Sequence, residues 1–162
     1  MDVLIESLRR ERENAELEAD LRSRMRLHNQ QIIEAKAPGF FAAFVTNLKE
    51  QCDKLIAEPR HPWIEESFPG SVKLNGAGVP RREILAELDI KGQQVKLYQA
   101  VKETRYHTAQ LAETDPMKIT VDDDEELRFR FRGHTYEDPC DLAVAFVRYV
   151  VGFGKPMEFP RP

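Results

Sequence analysis

Cysteine is nearly absent from this 162-residue chain: there are two, Cys52 and Cys140, far apart in sequence. No CxxC occurs, so neither a disulfide framework nor a cysteine-rich zinc module is legible, and a reducing, cytoplasmic compartment is expected. Long apolar runs are missing as well. The longest, Phe40 to Val45 and Leu142 to Val147, fall far short of a membrane span. The opening Met1-Asp2-Val3-Leu4-Ile5-Glu6 has too short an apolar run for a signal peptide, and an acid stands where a basic region belongs. No lipidation pattern is visible at either end, so no membrane partner is expected. An excess of one charge sign is also lacking: the formal net charge is −4, with both signs interspersed. That balance argues against a dedicated polyanion binder and leaves room only for a local basic face.

What the chain does have is charge and helix-forming side chains. Charged residues make up 32% and hydrophobic residues 41%, a combination that one long charged helix explains. Residues 1–36 contain no Pro or Gly and are dense in Glu, Arg, Leu and Ala. Glu6–Arg10, Glu18–Arg22 and Asp20–Arg24 stand four apart in the favourable order. The apolar positions of this helix form two stripes. Leu4, Leu8, Ala15 and Ala19 share one side; Leu17, Leu21, Met25, His28 and Ile32 lie nearly opposite. A helix packed along one core needs one stripe. This one either kinks near Asn14 to Glu18 and folds back on its own domain, or touches a second partner.

Pro38-Gly39 predicts a helix break. A second helix is expected from Phe40 to Glu58, with Phe41, Phe44, Val45, Leu48, Cys52, Leu55 and Ile56 on one face. Residues 59–82 read as a connector holding Trp63 and a short edge strand, Ser71 to Leu74. Strands are expected at 83–90, 94–102, 117–121 and 127–132, with a weaker one at 104–113. Short links between them imply an antiparallel meander. Asp138 then caps a last helix with Pro139 in its first turn. From Leu142 to Val151 that helix is apolar almost all round, so it needs cover on two sides. The fold class is α+β: a charged helical arm (1–36) on a domain (37–162) in which an amphipathic helix packs on four to five antiparallel strands and a C-terminal helix closes the structure.

Catalytic chemistry is hard to find. His134, Glu137, Asp138, Cys140 and Asp141 form the densest polar group, with side chains that bind zinc or activate a thiol. They read more simply as a helix start, because no second ligand cluster accompanies them. Asp122 to Glu126 lacks the spacing and central Gly of an EF-hand and reads as a hairpin tip. Asn75-Gly76-Ala77-Gly78 is followed by no Gly-Lys-Ser/Thr and is not a phosphate loop. No cofactor, no metal and no catalytic residue is expected.

Two surfaces remain. Leu17, Leu21, Met25 and Ile32 on the arm, with Val144, Val147 and Val151 on the last helix, exceed what one sheet can obviously cover. They predict a non-catalytic interaction or assembly protein that self-associates or binds a protein partner. Lys96, Tyr98, Lys118, Arg128, Arg130 and Arg132 fall on the outer face of the meander, a pattern suited to single-stranded nucleic acid. Glu87 and Asp89 share that face, which makes nucleic acid the second choice.

Overall fold

The first element is longer than the sequence predicts. In the computed structural model, which describes residues 2–59, 61–77, 81–102 and 110–152, a single helix α1 runs from Asp2 to Lys54. It passes through Pro38 and Gly39, so the expected break does not occur, and the expected second helix is the C-terminal part of the same element. A proline inside a helix loses one i→i−4 hydrogen bond and presses its ring on the preceding turn, at about 3 kcal/mol. Burial on both sides of the proline offsets this. Ile33 and Ala37 before it, and Phe41, Phe44, Leu48 and Cys52 after it, are all buried. A chain that left the helix at residue 38 would carry one of these groups off the core. Pro38 and Gly39 themselves are exposed, so water reaches the backbone freed there.

Eight strands follow among the described residues: β1 (Trp63–Phe68), β2 (Ser71–Asn75), β3 (Arg81–Asp89), β4 (Gln94–Lys102), β5 (Ala112–Glu113), β6 (Met117–Val121), β7 (Leu127–Phe131) and β8 (His134–Tyr136). They form one antiparallel sheet in the order β1-β2-β3-β4-β6-β7-β8, with β5 beside β4. The meander is therefore present but larger than the expected four to five strands. β1 converts part of the Pro-rich connector into the edge strand and moves β2 inward. β8 follows β7 through a two-residue turn, Arg132-Gly133, in which both φ angles are positive (45° and 80°). Most of the weak strand expected at 104–113 lies outside the described residues; Ala112–Glu113 is what is seen of it. The tail beyond Gly152 also lies outside them.

Register decides which side chains meet the helices. Val72 pairs with Ala86, Leu74 with Ile84, Ala86 with Leu97, Val95 with Met117, and Ile119 with Phe129. These residues are all buried and share the inner face. α1 and the final helix α2 (Pro139–Val150) pack on that face. Asp138 caps α2 as expected, its Oδ1 accepting from the Cys140 N–H at 2.8 Å. α2 lies between α1 and strands β2, β3 and β8, which accounts for an apolar surface on both of its sides. Phe44 meets Phe146 edge-on with ring centroids 4.9 Å apart, and Phe40 stacks on Phe129 at 4.0 Å. At the C-terminal end of α2, Arg82 donates from Nη1 to the Tyr149 carbonyl at 3.2 Å. That puts a cation on the negative end of the helix. Gly76 lets β2 approach closely there, since a Cβ would sit 2.0 Å from the Val150 carbonyl oxygen. No helix among the described residues is long and apolar enough to cross a membrane.

Candidate interaction surface

Residues 2–28 of α1 are exposed without exception, and burial begins at Asn29. The helix is uninterrupted across Asn14 to Glu18, so the arm does not fold back on its own domain. It carries Val3, Leu4, Ile5, Leu8, Leu17, Leu21, Met25 and Leu27 into solvent; Leu17, Leu21 and Met25 are 61%, 57% and 64% exposed. Scattered apolar residues on a surface need no explanation, but Leu17, Leu21 and Met25 share one side of the helix, as the residues of a contact stripe do. The arm has little else to hold it. Arg10–Glu6 (3.5 Å), Arg22–Glu18 (3.8 Å) and Arg24–Asp20 (3.2 Å) are exposed i,i+4 pairs, each contributing about 0.3–0.5 kcal/mol.

The root of the arm is clamped by the acidic hairpin between β6 and β7. His28 Nε2 and Glu125 Oε1 lie 2.9 Å apart, Lys36 donates to the Glu125 carbonyl at 2.8 Å, and its Nζ is 3.5 Å from Glu126. Gln30 and Gln93 hydrogen-bond beside them. The hairpin tip thus grips α1 as well as facing water. Asp122 shapes the loop by accepting the backbone N–H groups of Glu126 and Asp124 at 2.8 and 3.0 Å. Those bonds and Arg128 hold its carboxyl below the ordinary aspartate range. No sequence signal pairs residues 28 and 36 with 125 and 126; only the fold does.

Other residues singled out by sequence are placed as follows. Ile32 is 9% exposed and Val147 6%, both covered by the chain itself, whereas Val144 and Val151 are half-buried. Lys96, Tyr98, Lys118, Arg128 and Arg130 do fall on the outer face of the sheet, while Arg132 lies in the turn after β7. That face is not an uninterrupted basic platform. Arg128 bonds both Asp122, at 3.0 Å, and Glu137. Arg132 is 3.4 Å from Asp115, and Lys96 stands opposite Glu87. Further along, Glu83 is held between Arg81 and Lys102. Burial pushes the Glu83 carboxyl up, and hydrogen bonds from the two cations more than reverse this, so its pKa lies below the ordinary range.

The cluster around Cys140 is dispersed by its own contacts. Asp138 caps α2, Glu137 binds Arg128, and the His134 ring stands 6.4 Å from that of Tyr136. Among the described residues, no three His, Cys, Asp or Glu side chains are disposed to hold a metal. Cys52 is buried, and burial with the nearby Asp53 charge pushes its thiol up to about 11. A groove of about 610 Å³ opens between α1 and the β1–β2 turn, lined by Phe41, Val45, Lys49, Phe68, Leu88 and Ile90 among others. It brings no pair of groups suited to acid–base or nucleophilic work together. Comparison with protein-family models, with curated proteins and with solved structures finds no significant match.

Proposed function

We propose that this chain is a non-catalytic assembly protein that associates through the exposed stripe of its helical arm, with Leu17, Leu21 and Met25 at the centre of the contact. One observation carries the reading: Leu17, Leu21 and Met25 stand in solvent on one side of a helix whose residues 2–28 are all exposed. Burying a side chain of this size contributes about 1.5–3 kcal/mol. Three from each of two copies would contribute about 9–18 kcal/mol, set against an association cost of about 4–15 kcal/mol. That is the range of a moderate, reversible contact. α2 contributes less directly. Val147 lies in the core, and only Val144 and Val151 retain surface to add.

Light scattering over a concentration series tests this. The purified chain should show a mass above the monomer that falls on dilution. Leu17→Asp/Leu21→Asp/Met25→Asp should be monomeric with unchanged near-ultraviolet circular dichroism. A wild-type chain that stays monomeric at tens of micromolar, with its arm amides protected from exchange, overturns the proposal.

A further inference from the structure

The groove between α1 and the β1–β2 turn is graded in polarity from one end to the other, and the grading describes a ligand. One wall is a single line of α1, in which Pro38, Phe41, Val45, Thr46 and Lys49 border the groove. Pro38 and Lys49 stand eleven residues apart on that helix, a span of about 16 Å. Pro38 and Phe41 offer only carbon at one end. Thr46 and Lys49 gather the polar atoms at the other. Among the described residues that line the groove, Lys49 carries the only charge, and no acid joins it. Its side chain is exposed, and no described carboxylate pairs with it. We infer that the groove binds a single-chain fatty carboxylate, with the head group on Lys49 and the tail running along Val45 and Phe41 toward Pro38. The arm plays no part in this, so the site stands whether or not the chain self-associates.

The opposite wall is fixed in place. Pro69 and Gly70, the latter at φ 77°, turn the chain between β1 and β2. The Gly70 carbonyl accepts the Leu88 N–H at 2.7 Å, which ties the turn to β3. Phe68 stands beside this turn and is 61% exposed, although turn positions favour small polar residues. A pinned turn thus holds an aromatic ring at the rim of an apolar channel that Leu88 and Ile90 also line. The volume, about 610 Å³, falls within the range of about 300–1,000 Å³ usual for small-molecule sites. A wall already held in position has little left to order when a ligand enters.

A ligand matched to this channel needs a hydrocarbon length to bury against Phe41, Val45 and Phe68, and one negative charge at its end. A cationic amphiphile would set like charges together at Lys49, and a dianion would find a single partner. An exposed lysine–carboxylate pair contributes little by itself. The tail therefore supplies most of the affinity, while Lys49 sets the direction of the ligand and the choice of head group.

Calorimetric titration of the full chain with decanoate, decanol and decylammonium tests this. Decanoate should bind saturably, one per chain, and more tightly than decylammonium. Lys49→Gln should weaken decanoate about two- to fivefold and leave decanol unchanged. Lys49→Glu, a surface substitution outside the core, should reverse the order and favour decylammonium. Ala42→Trp, which fills the channel from an exposed helical position, should abolish binding of all three with circular dichroism unchanged. Decanoate heats that never saturate, or that Ala42→Trp leaves as they were, place the binding elsewhere and overturn the inference. Equal affinity of the wild-type chain for decanoate and decylammonium does so too, because Lys49 then selects nothing. Absence of decanoate binding also overturns it; if Phe68→Asp then lowers the mass seen by light scattering, the groove belongs to a second copy.

Discussion

Replacing Pro38 and Gly39 by alanine should stabilise the protein, and by a large amount for two exposed substitutions. Both residues sit in the interior of α1 with helix on either side for more than ten residues. Pro38 removes the N–H that would bond the Glu34 carbonyl; relative to Ala it costs about 3 kcal/mol in a helix interior. Gly39 costs a further 0.5–1 kcal/mol or so through backbone entropy. A Cβ added at Gly39 meets nothing within 4 Å, so Ala brings no clash. Local bending around Pro38 relaxes part of its strain, which makes about 3–4 kcal/mol the ceiling for Pro38→Ala/Gly39→Ala, and adjacent sites need not add. For a chain of this size, each kcal/mol moves the melting temperature by about 2–4 °C, so a gain is expected with an upper bound of roughly 6–16 °C. Thermal and urea unfolding at one fixed protein concentration measure it; the fixed concentration removes any contribution from association. Helical circular dichroism should rise only slightly, since residues 38 and 39 are already helical. An unchanged or lowered stability, or a large rise in helicity, would mean that the chain leaves the helix at Pro38 in solution, and the continuity of α1 would be refuted.

Glu83→Gln should lower stability at neutral pH and flatten its dependence on acid. A carboxyl whose folded pKa is depressed adds stability above its unfolded value, about 4.3, and that stability is lost as pH falls through the folded value. Urea midpoints at pH 7 and pH 3 for both proteins check the sign. A variant with the same acid slope as wild type contradicts the role of Arg81 and Lys102 in holding Glu83 ionised. Gln99, 1% exposed with no hydrogen-bond partner for either amide atom among the described residues, predicts that Gln99→Met stabilises by about 1–3 kcal/mol; a loss of that size would show that the amide has a partner. Cys52, with its thiol near 11 and its side chain buried, should react with a thiol reagent at pH 8 only as fast as the domain opens, so its rate should rise with urea. The outer face of the sheet, with Arg128 and Arg132 paired to acids, should give no salt-dependent retention of a labelled single strand at low ionic strength; clear binding lost on Arg130→Ala would reinstate the basic-face reading.

Some of this architecture was legible from the chain alone. Leu127, Phe129 and Phe131 alternate with Arg128 and Arg130, so period two separates the faces of β7 without ambiguity. Asp138-Pro139 marks the start of α2 because capping chemistry is local. β1 and β8 were not legible. β8 is three residues long, and Trp63-Ile64-Glu65-Glu66 is broken by a bulge that spoils alternation. The passage of α1 through Pro38-Gly39 was hidden for a different reason. Local propensity opposes it, and only the joint burial of Ile33, Ala37, Phe41 and Phe44 reverses the local preference. For the candidate site, the stripe on the arm could be read from spacing. That α1 and the sheet together cover α2 could not, because it depends on which strands adjoin.

That continuity changes what the arm can do. Had the helix ended at Pro38, residues 1–36 would be a tethered segment, free to turn about the joint, and the direction of its apolar stripe would carry no information about the rest of the molecule. Because α1 is one element, the azimuth of Leu17, Leu21 and Met25 is fixed relative to Phe41 and Leu48, which the core holds in place. The hairpin clamp at His28 and Lys36 tightens this further, since it grips α1 at the point where the arm leaves the body. A rigid arm loses less conformational entropy on association than a flexible one, and it admits few geometries. The same property makes the arm vulnerable to perturbation far from its contact. Releasing the clamp with Lys36→Met/Glu125→Ala, which removes both Lys36 bonds and the His28–Glu125 contact, touches no residue of the stripe. It should nevertheless weaken the proposed self-association measurably by loosening the base from which the arm projects. An association constant unchanged by that substitution would show that the arm is held in direction by its own helix alone.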